Sequence, residues 1–235
     1  VVRDGAALLM HRATRDDLAG LPLETAPRLL GAELRTVVAG AEVRLRITEA
    51  EAYHGQGTGS VPDPGSHARM GRTARNATMW GEPGHLYVYL SHGIHSCVNV
   101  VCGPEGVAGG VLLRAGEVVE GADAAALRRG ASLPLTAIAL RDLARGPGRF
   151  GQASGLRHPR HDGIDAITGA EWHDACAELW LTDEAVEVSA GPRVGVAGVA
   201  GTHAFPWRFW IAGDPTVSPF RWGRGAQAEA MRLAE

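Results

Sequence analysis

Residues 43–53 read VRLRITEAEAY, and this stretch decides what the rest of the chain must build. Side chains of an extended strand alternate between two faces. The odd positions Val43, Leu45, Ile47, Glu49, Glu51 and Tyr53 share one face; Arg44, Arg46, Thr48, Ala50 and Ala52 share the other. A face that begins aliphatic and turns acidic is expected where a core opens into a pocket. Such a carboxylate is either a sheet-end ion pair with a nearby arginine or a functional group. The alternation alone leaves both open.

Working outward, residues 26–34 (APRLLGAEL) suggest a short helix leading into a strand around LRTVV. Downstream, residues 54–82 form a loop rich in Gly, Pro and Ser, too long for a passive connector and a candidate functional loop. Residues 85–101, HLYVYLSHGIHSCVNVV, read as two strands joined at Ser91, His92 and Gly93 into a hairpin. GVLLRAGEVV supplies another strand, and helical spacing dominates from about 122 to 144. GPRVGV and WRFWIAG read as late strands, and the tail at 222–235 as flexible or as a short terminal helix. The strands are not separated by regular helices. The expectation is therefore one mixed α/β (α+β) domain over residues 1–235, with a curved, largely antiparallel sheet, flanking helices and a protruding β-hairpin.

Composition excludes several classes. The 235 residues are 45% hydrophobic and 21% charged, enough apolar material for a sizeable core and unlike a disordered chain. No apolar run is long enough to span a membrane, and three cysteines (Cys97, Cys102, Cys176) suit a reducing compartment, so a cytoplasmic protein is expected. All 23 basic side chains are arginine. Without lysine, no side-chain amine can form a Schiff base, which excludes imine chemistry except at the N-terminus. The net charge of −3 hides a local asymmetry: residues 125–160 carry seven arginines and one acid, Asp142. That stretch either faces phosphate or is a solvated helical face.

The hairpin places Tyr87 and Tyr89 on one face of its first strand, and His95, Cys97 and Asn99 on one face of the return strand. His92 lies at the tip. A metal site built from His92, His95, Cys97 and Cys102 is disfavoured, because the two cysteines project to opposite faces of an extended strand. The chain has no Walker loop, no G-x-S-x-G elbow and no dinucleotide fingerprint in a strand-to-helix context.

TEAEAY (48–53), SHARMGRTARN (66–76), PGHLYVYLSHGIHSCVNV (83–100), VLLRAGEVVEG (111–121) and GPRVGV (191–196) together resemble the alkyladenine, or 3-methyladenine, DNA glycosylase family. The motifs occur in the family's order over nearly the whole chain. The resemblance implies a monofunctional base-excision-repair enzyme with no metal or cofactor. It would act as a monomer, flipping alkylated or deaminated purines out of double-stranded DNA and hydrolysing the N-glycosidic bond. By motif position, Glu51 would activate water, while Arg114 and the backbone carbonyl of Val194 would help hold it. Tyr53, His67 and Tyr89 would line the base pocket, and Asn99 would oppose the exocyclic amine of guanine. The hairpin-tip wedge, tyrosine in familiar relatives, would be His92, with Ile94 the next candidate. Two other readings are a lesion-binding protein that flips bases without cutting, and a metal-dependent hydrolase.

Overall fold

The computed structural model describes residues 10–55, 62–130 and 138–234. In chain order the strands and helices are β1 (Met10–Arg12), α1 (Pro22–Arg28), β2 (Glu33–Val38), β3 (Ala41–His54), β4 (Leu86–Ser91), β5 (His95–Val101) and β6 (Gly109–Glu120). They continue as α2 (Ala122–Arg128), β7 (Ala144–Arg145), α3 (Pro147–Ser154), β8 (Ala175–Thr182), β9 (Val188–Gly191), β10 (Arg208–Ile211) and α4 (Ala226–Leu233). The fold is mixed α/β, with every strand pairing antiparallel in an open sheet ordered β1-β8-β2-β3-β6-β5-β4. Strand β3 is the spine. Its first half pairs with β2, its second half with β10, and β6 follows its other edge throughout.

The alternation of residues 43–53 is real but not continuous. A bulge at Thr48 and Glu49 shifts the register against β6, since one extra residue offsets the two faces. Val43, Leu45 and Ile47 therefore share the hydrophobic core with Ala50 and Ala52. The expectation of one face running from aliphatic to acidic is corrected here: Glu51 and Tyr53 point away from the core that Ile47 enters. The core face also holds Leu86 and Val88, Val98 and Val100, and Val111 and Leu113, which alternate cleanly along β4, β5 and β6. Helices α1, α2 and α3 add Ala26, Ala125, Phe150 and Ala153 to it.

Two other expectations are corrected. The helix predicted over 122–144 ends at Arg128; residues 140–142 form a single 3₁₀ turn and Ala144–Arg145 is the strand β7, while 131–137 lie outside the described residues. Only Gly191 of GPRVGV is in a strand, and residues 192–197 form a connection that crosses the sheet's open face. Helix α3 and strand β8 escaped the sequence reading. Two glycines in PGRFGQAS mask α3, yet Gly151 is required: a Cβ there would meet the Ser96 carbonyl oxygen at 2.0 Å, so the helix rests directly on β5. Pro147 at its first turn and Gly155 in a left-handed conformation at its end were the available signals.

Candidate active site

Directly opposed residues of antiparallel strands project to the same face. One such row crosses five strands: Tyr87 opposes Asn99, Asn99 opposes Leu112, Leu112 opposes Glu51, and Glu51 opposes Arg208. Tyr89 and Cys97 form the adjacent pair. These side chains, except the deeper Glu51 and Arg208, line a cleft of about 1060 Å³ on the face away from the core. Tyr53, His67, Arg114 and Val194 line it too, as do Arg129, Arg145, Arg149 and Arg221.

Glu51 is wholly buried beneath this cleft. Its Oε1 accepts the Val194 N–H at 2.7 Å, and its Oε2 accepts the Tyr53 hydroxyl at 2.8 Å. Arg114 Nη1 stands 3.3 Å from the same Oε2. Burial, with Glu51 adding to it, pushes the Tyr53 phenol well above its ordinary value, so the hydroxyl remains a donor. A carboxylate offers about four acceptor positions, and these three contacts leave room for one more. The residue expected to act through its carbonyl, Val194, touches Glu51 through its N–H.

Glu49 is the carboxylate that the alternation could not tell from Glu51. Its Oε1 accepts Arg114 Nε at 2.9 Å, Arg208 Nε at 2.7 Å and Ser218 Oγ at 3.0 Å, and its Oε2 accepts the Ser218 N–H at 2.8 Å. Burial works to raise Glu49, but the two guanidinium groups and Ser218 outweigh it and hold the carboxyl below the usual range. Fully engaged, Glu49 serves to fix Arg114 beside Glu51. The ion-pair reading of the acidic face thus holds for Glu49, which two arginines claim.

The aromatic wall is built by β4 and the 63–67 connection. Tyr87 and Tyr89 stack at 5.4 Å between ring centroids, and the His67 ring meets Tyr89 edge-on at 4.6 Å. Burial raises the Tyr87 phenol to about 12, helped by Asp162, and Tyr89 higher still. Burial, then Arg75 and Arg69, lower the His67 imidazole, so it is neutral at physiological pH. The Asn99 amide donates to the Tyr87 carbonyl at 3.0 Å, which fixes its orientation. Cys97 faces the cleft, whereas Cys102 belongs to the core on the other side, so the two do not meet.

His92 and Ile94 occupy the exposed tip of the β4–β5 hairpin, where His92 lines one edge of the cleft and Ile94 does not. Ile94 is 72% exposed, an unusual position for a large aliphatic side chain, and His92 adopts φ 50°. The arginine-rich stretch divides. Arg128 and Arg129 donate to backbone carbonyls, Arg160 pairs with Asp174, and Arg145 binds the Val217 carbonyl while still lining the cleft. Arg149, at the start of α3, is exposed on the cleft rim. Sequence reasoning missed Arg208 and the buried Arg193–Asp63 pair, whose partners lie more than a hundred residues apart.

A deep aromatic cleft over an arginine-braced carboxylate, edged by arginines and a projecting hairpin, is the equipment of a DNA glycosylase, which works on a base taken out of the stack. The chain belongs to the methylpurine-DNA glycosylase (MPG) family, whose model matches residues 16–215. It is 50% identical over 207 residues to a protein of Leifsonia xyli subsp. xyli named "Putative 3-methyladenine DNA glycosylase", covering 88% of this chain and 92% of the relative. A protein of the same name from Streptomyces avermitilis is 45% identical over 216 residues, covering 88% and 91% of the two chains. One from Mycobacterium tuberculosis is 41% identical over 221 residues, covering 94% and 98%. Among the described residues no helix is long and apolar enough to cross a membrane.

Proposed function

We propose that this protein is a monofunctional base-excision-repair glycosylase that acts on alkylated or deaminated purines in double-stranded DNA. In this reading a single 1–235 domain in the cytoplasm, acting as a monomer, releases the free base and leaves an abasic site. The observation that carries it is Glu51: a buried carboxylate with three neighbouring donors and one acceptor position to spare, under an aromatic cleft.

The chemistry follows from that arrangement. A purine flipped into the cleft meets Tyr53, Tyr89 and His67, and an alkylated, cationic purine gains further from the tyrosine π-faces. Rupture of the glycosidic bond develops positive charge on the sugar, which an adjacent carboxylate stabilises. Glu51 then takes a proton from the water that adds to the sugar, with Arg114 orienting the carboxylate. The electron pair of the broken bond leaves with the purine, which alkylation has already made a good leaving group. No step needs a metal or cofactor. Asn99, with its amide fixed on Tyr87, stands where a guanine amine would have to pass, and Arg149 and Arg221 are available to backbone phosphate.

The test is release of free base, in the presence of EDTA, from duplexes carrying 3-methyladenine, 7-methylguanine, hypoxanthine or ethenoadenine. Free base and an otherwise intact strand are expected. Binding without release would leave only a lesion-recognition role, and strand cleavage trapped by borohydride would refute the monofunctional assignment.

A further inference from the structure

Beneath Glu51 lies a second buried ion pair. Arg193 and Asp63 are both fully buried and joined by two hydrogen bonds, Nη1 to Oδ2 at 2.8 Å and Nη2 to Oδ1 at 2.7 Å. Asp63 also accepts the backbone N–H groups of His54 at 3.1 Å and Gly65 at 2.9 Å. Such a pair is weak evidence for stability, because taking two charges out of water costs about as much as their attraction returns. Its contacts suggest another use.

Arg193 reaches residues 51–53 in three ways. Nη1 donates to the carbonyl of Ala52 at 3.1 Å, the peptide between Glu51 and Tyr53. The guanidinium carbon lies 4.6 Å from the centroid of the Tyr53 ring, and 5.0 Å from that of Trp207 on the connection into β10. The next residue along the chain, Val194, donates its N–H to Glu51. The two neutral donors of Glu51, the Tyr53 hydroxyl and the Val194 amide, thus lie on the ring under this guanidinium and on the residue that follows it. The planar fork matters here, since it bonds in its plane to Asp63 and stacks over its face on Tyr53, which an ammonium cannot do.

We infer that Arg193, clamped by Asp63, is a positioning residue that holds both neutral hydrogen-bond donors of Glu51 in place. This rests on the glycosylase reading above. Arg193 neither lines the cleft nor touches a base; it acts through Tyr53 and Val194. A chain packed close around it fits this role. A Cβ at Gly65 would lie 2.7 Å from Arg193 Nη2 and 2.9 Å from Val196 Cγ1, so glycine there lets the fork sit flat.

Two variants test it. Arg193→Lys keeps the charge and loses the fork; Asp63→Asn keeps Arg193 and removes the charge that clamps it. Both are measured by single-turnover excision and by lesion-DNA affinity, alone and in the Glu51→Gln background. Positioning predicts excision slowed about tenfold or more with affinity within about twofold, and no further loss once Glu51 is already changed. If Arg193→Lys does not fold, Asp63→Asn gives the same answer with Arg193 itself intact. Folded variants that lose thermal stability but excise at the wild-type rate would overturn the inference, leaving a purely structural pair. So would losses that simply add to that of Glu51→Gln. A wild-type chain that releases no base at all would instead sink the glycosylase reading, and this inference with it.

Discussion

The Tyr53 hydroxyl donates to Oε2 of Glu51 at 2.8 Å, two residues along the same strand, with Arg114 approaching the same oxygen at 3.3 Å. A hydrogen bond to a charged group is worth roughly 1.5–3 kcal/mol. Tyr53→Phe keeps the ring against Arg193 and removes only the donor. It should slow single-turnover excision about tenfold or more, with lesion binding retained. An unchanged rate would show that the phenol serves the fold and the base stack, not Glu51.

Asn99 donates to the Tyr87 carbonyl and faces the cleft between Tyr87 and Leu112. Replacing it with alanine should make room for an exocyclic amine and raise excision of guanine from mispairs. Excision from G·T duplexes measures this directly. Unaltered discrimination would assign selectivity to leaving-group reactivity instead.

The hairpin tip offers an exposed imidazole at His92 and an exposed aliphatic chain at Ile94. A side chain must fill the gap left by a flipped nucleotide, and unstacking costs a few kcal/mol per step. His92→Ala should weaken lesion binding by about tenfold while sparing the chemistry at Glu51, and His92→Tyr should be tolerated. Wild-type affinity in His92→Ala with a loss in Ile94→Ala would move the wedge to Ile94.

His54 gives a pH dependence of a different kind. It is buried against Trp207 at 5.0 Å between ring centroids, and among the described residues neither ring nitrogen has a partner. Burial lowers its pKa below the ordinary 6.5, and Asp63 only partly offsets this. Below about pH 6.5 the unfolded chain then binds more protons than the folded one. Stability from neutral His54 is present above that value and is lost as pH falls through the folded pKa, by at most about 1.4 kcal/mol per pH unit. Thermal unfolding at pH 7.5 and 5.5 should show a smaller loss for His54→Phe than for wild type. Equal losses would assign the acid sensitivity to other groups.

Much of this was legible in the sequence, for identifiable reasons. Strands β4 and β5 alternate strongly, so Tyr87 and Tyr89 could be set on one face of the first, and His95, Cys97 and Asn99 on one face of the second, before any pairing was known. What alternation could not supply was the extra residue at Thr48, because a bulge leaves no periodic trace and exchanges the faces beyond it. Nor could local pattern separate Glu49 from Glu51. Their difference lies in Arg208 and Ser218, some 160 residues away, which claim one carboxylate and leave the other, beneath the cleft, with an acceptor position to spare. Residues 122–144 read as helix because alanine, leucine and arginine favour it, yet Gly130 already turns the chain with φ 76° after one short helix.

The central claim is that Glu51 performs the chemistry of a cleft that binds a flipped purine. Single-turnover release of base from a 3-methyladenine or hypoxanthine duplex by Glu51→Gln, with binding to the same duplex measured in parallel, tests it most directly. Wild-type affinity and excision reduced by about 10²-fold or more are expected. Excision near the wild-type rate by folded Glu51→Gln would contradict it, and the proton acceptor would have to be sought elsewhere in the cleft.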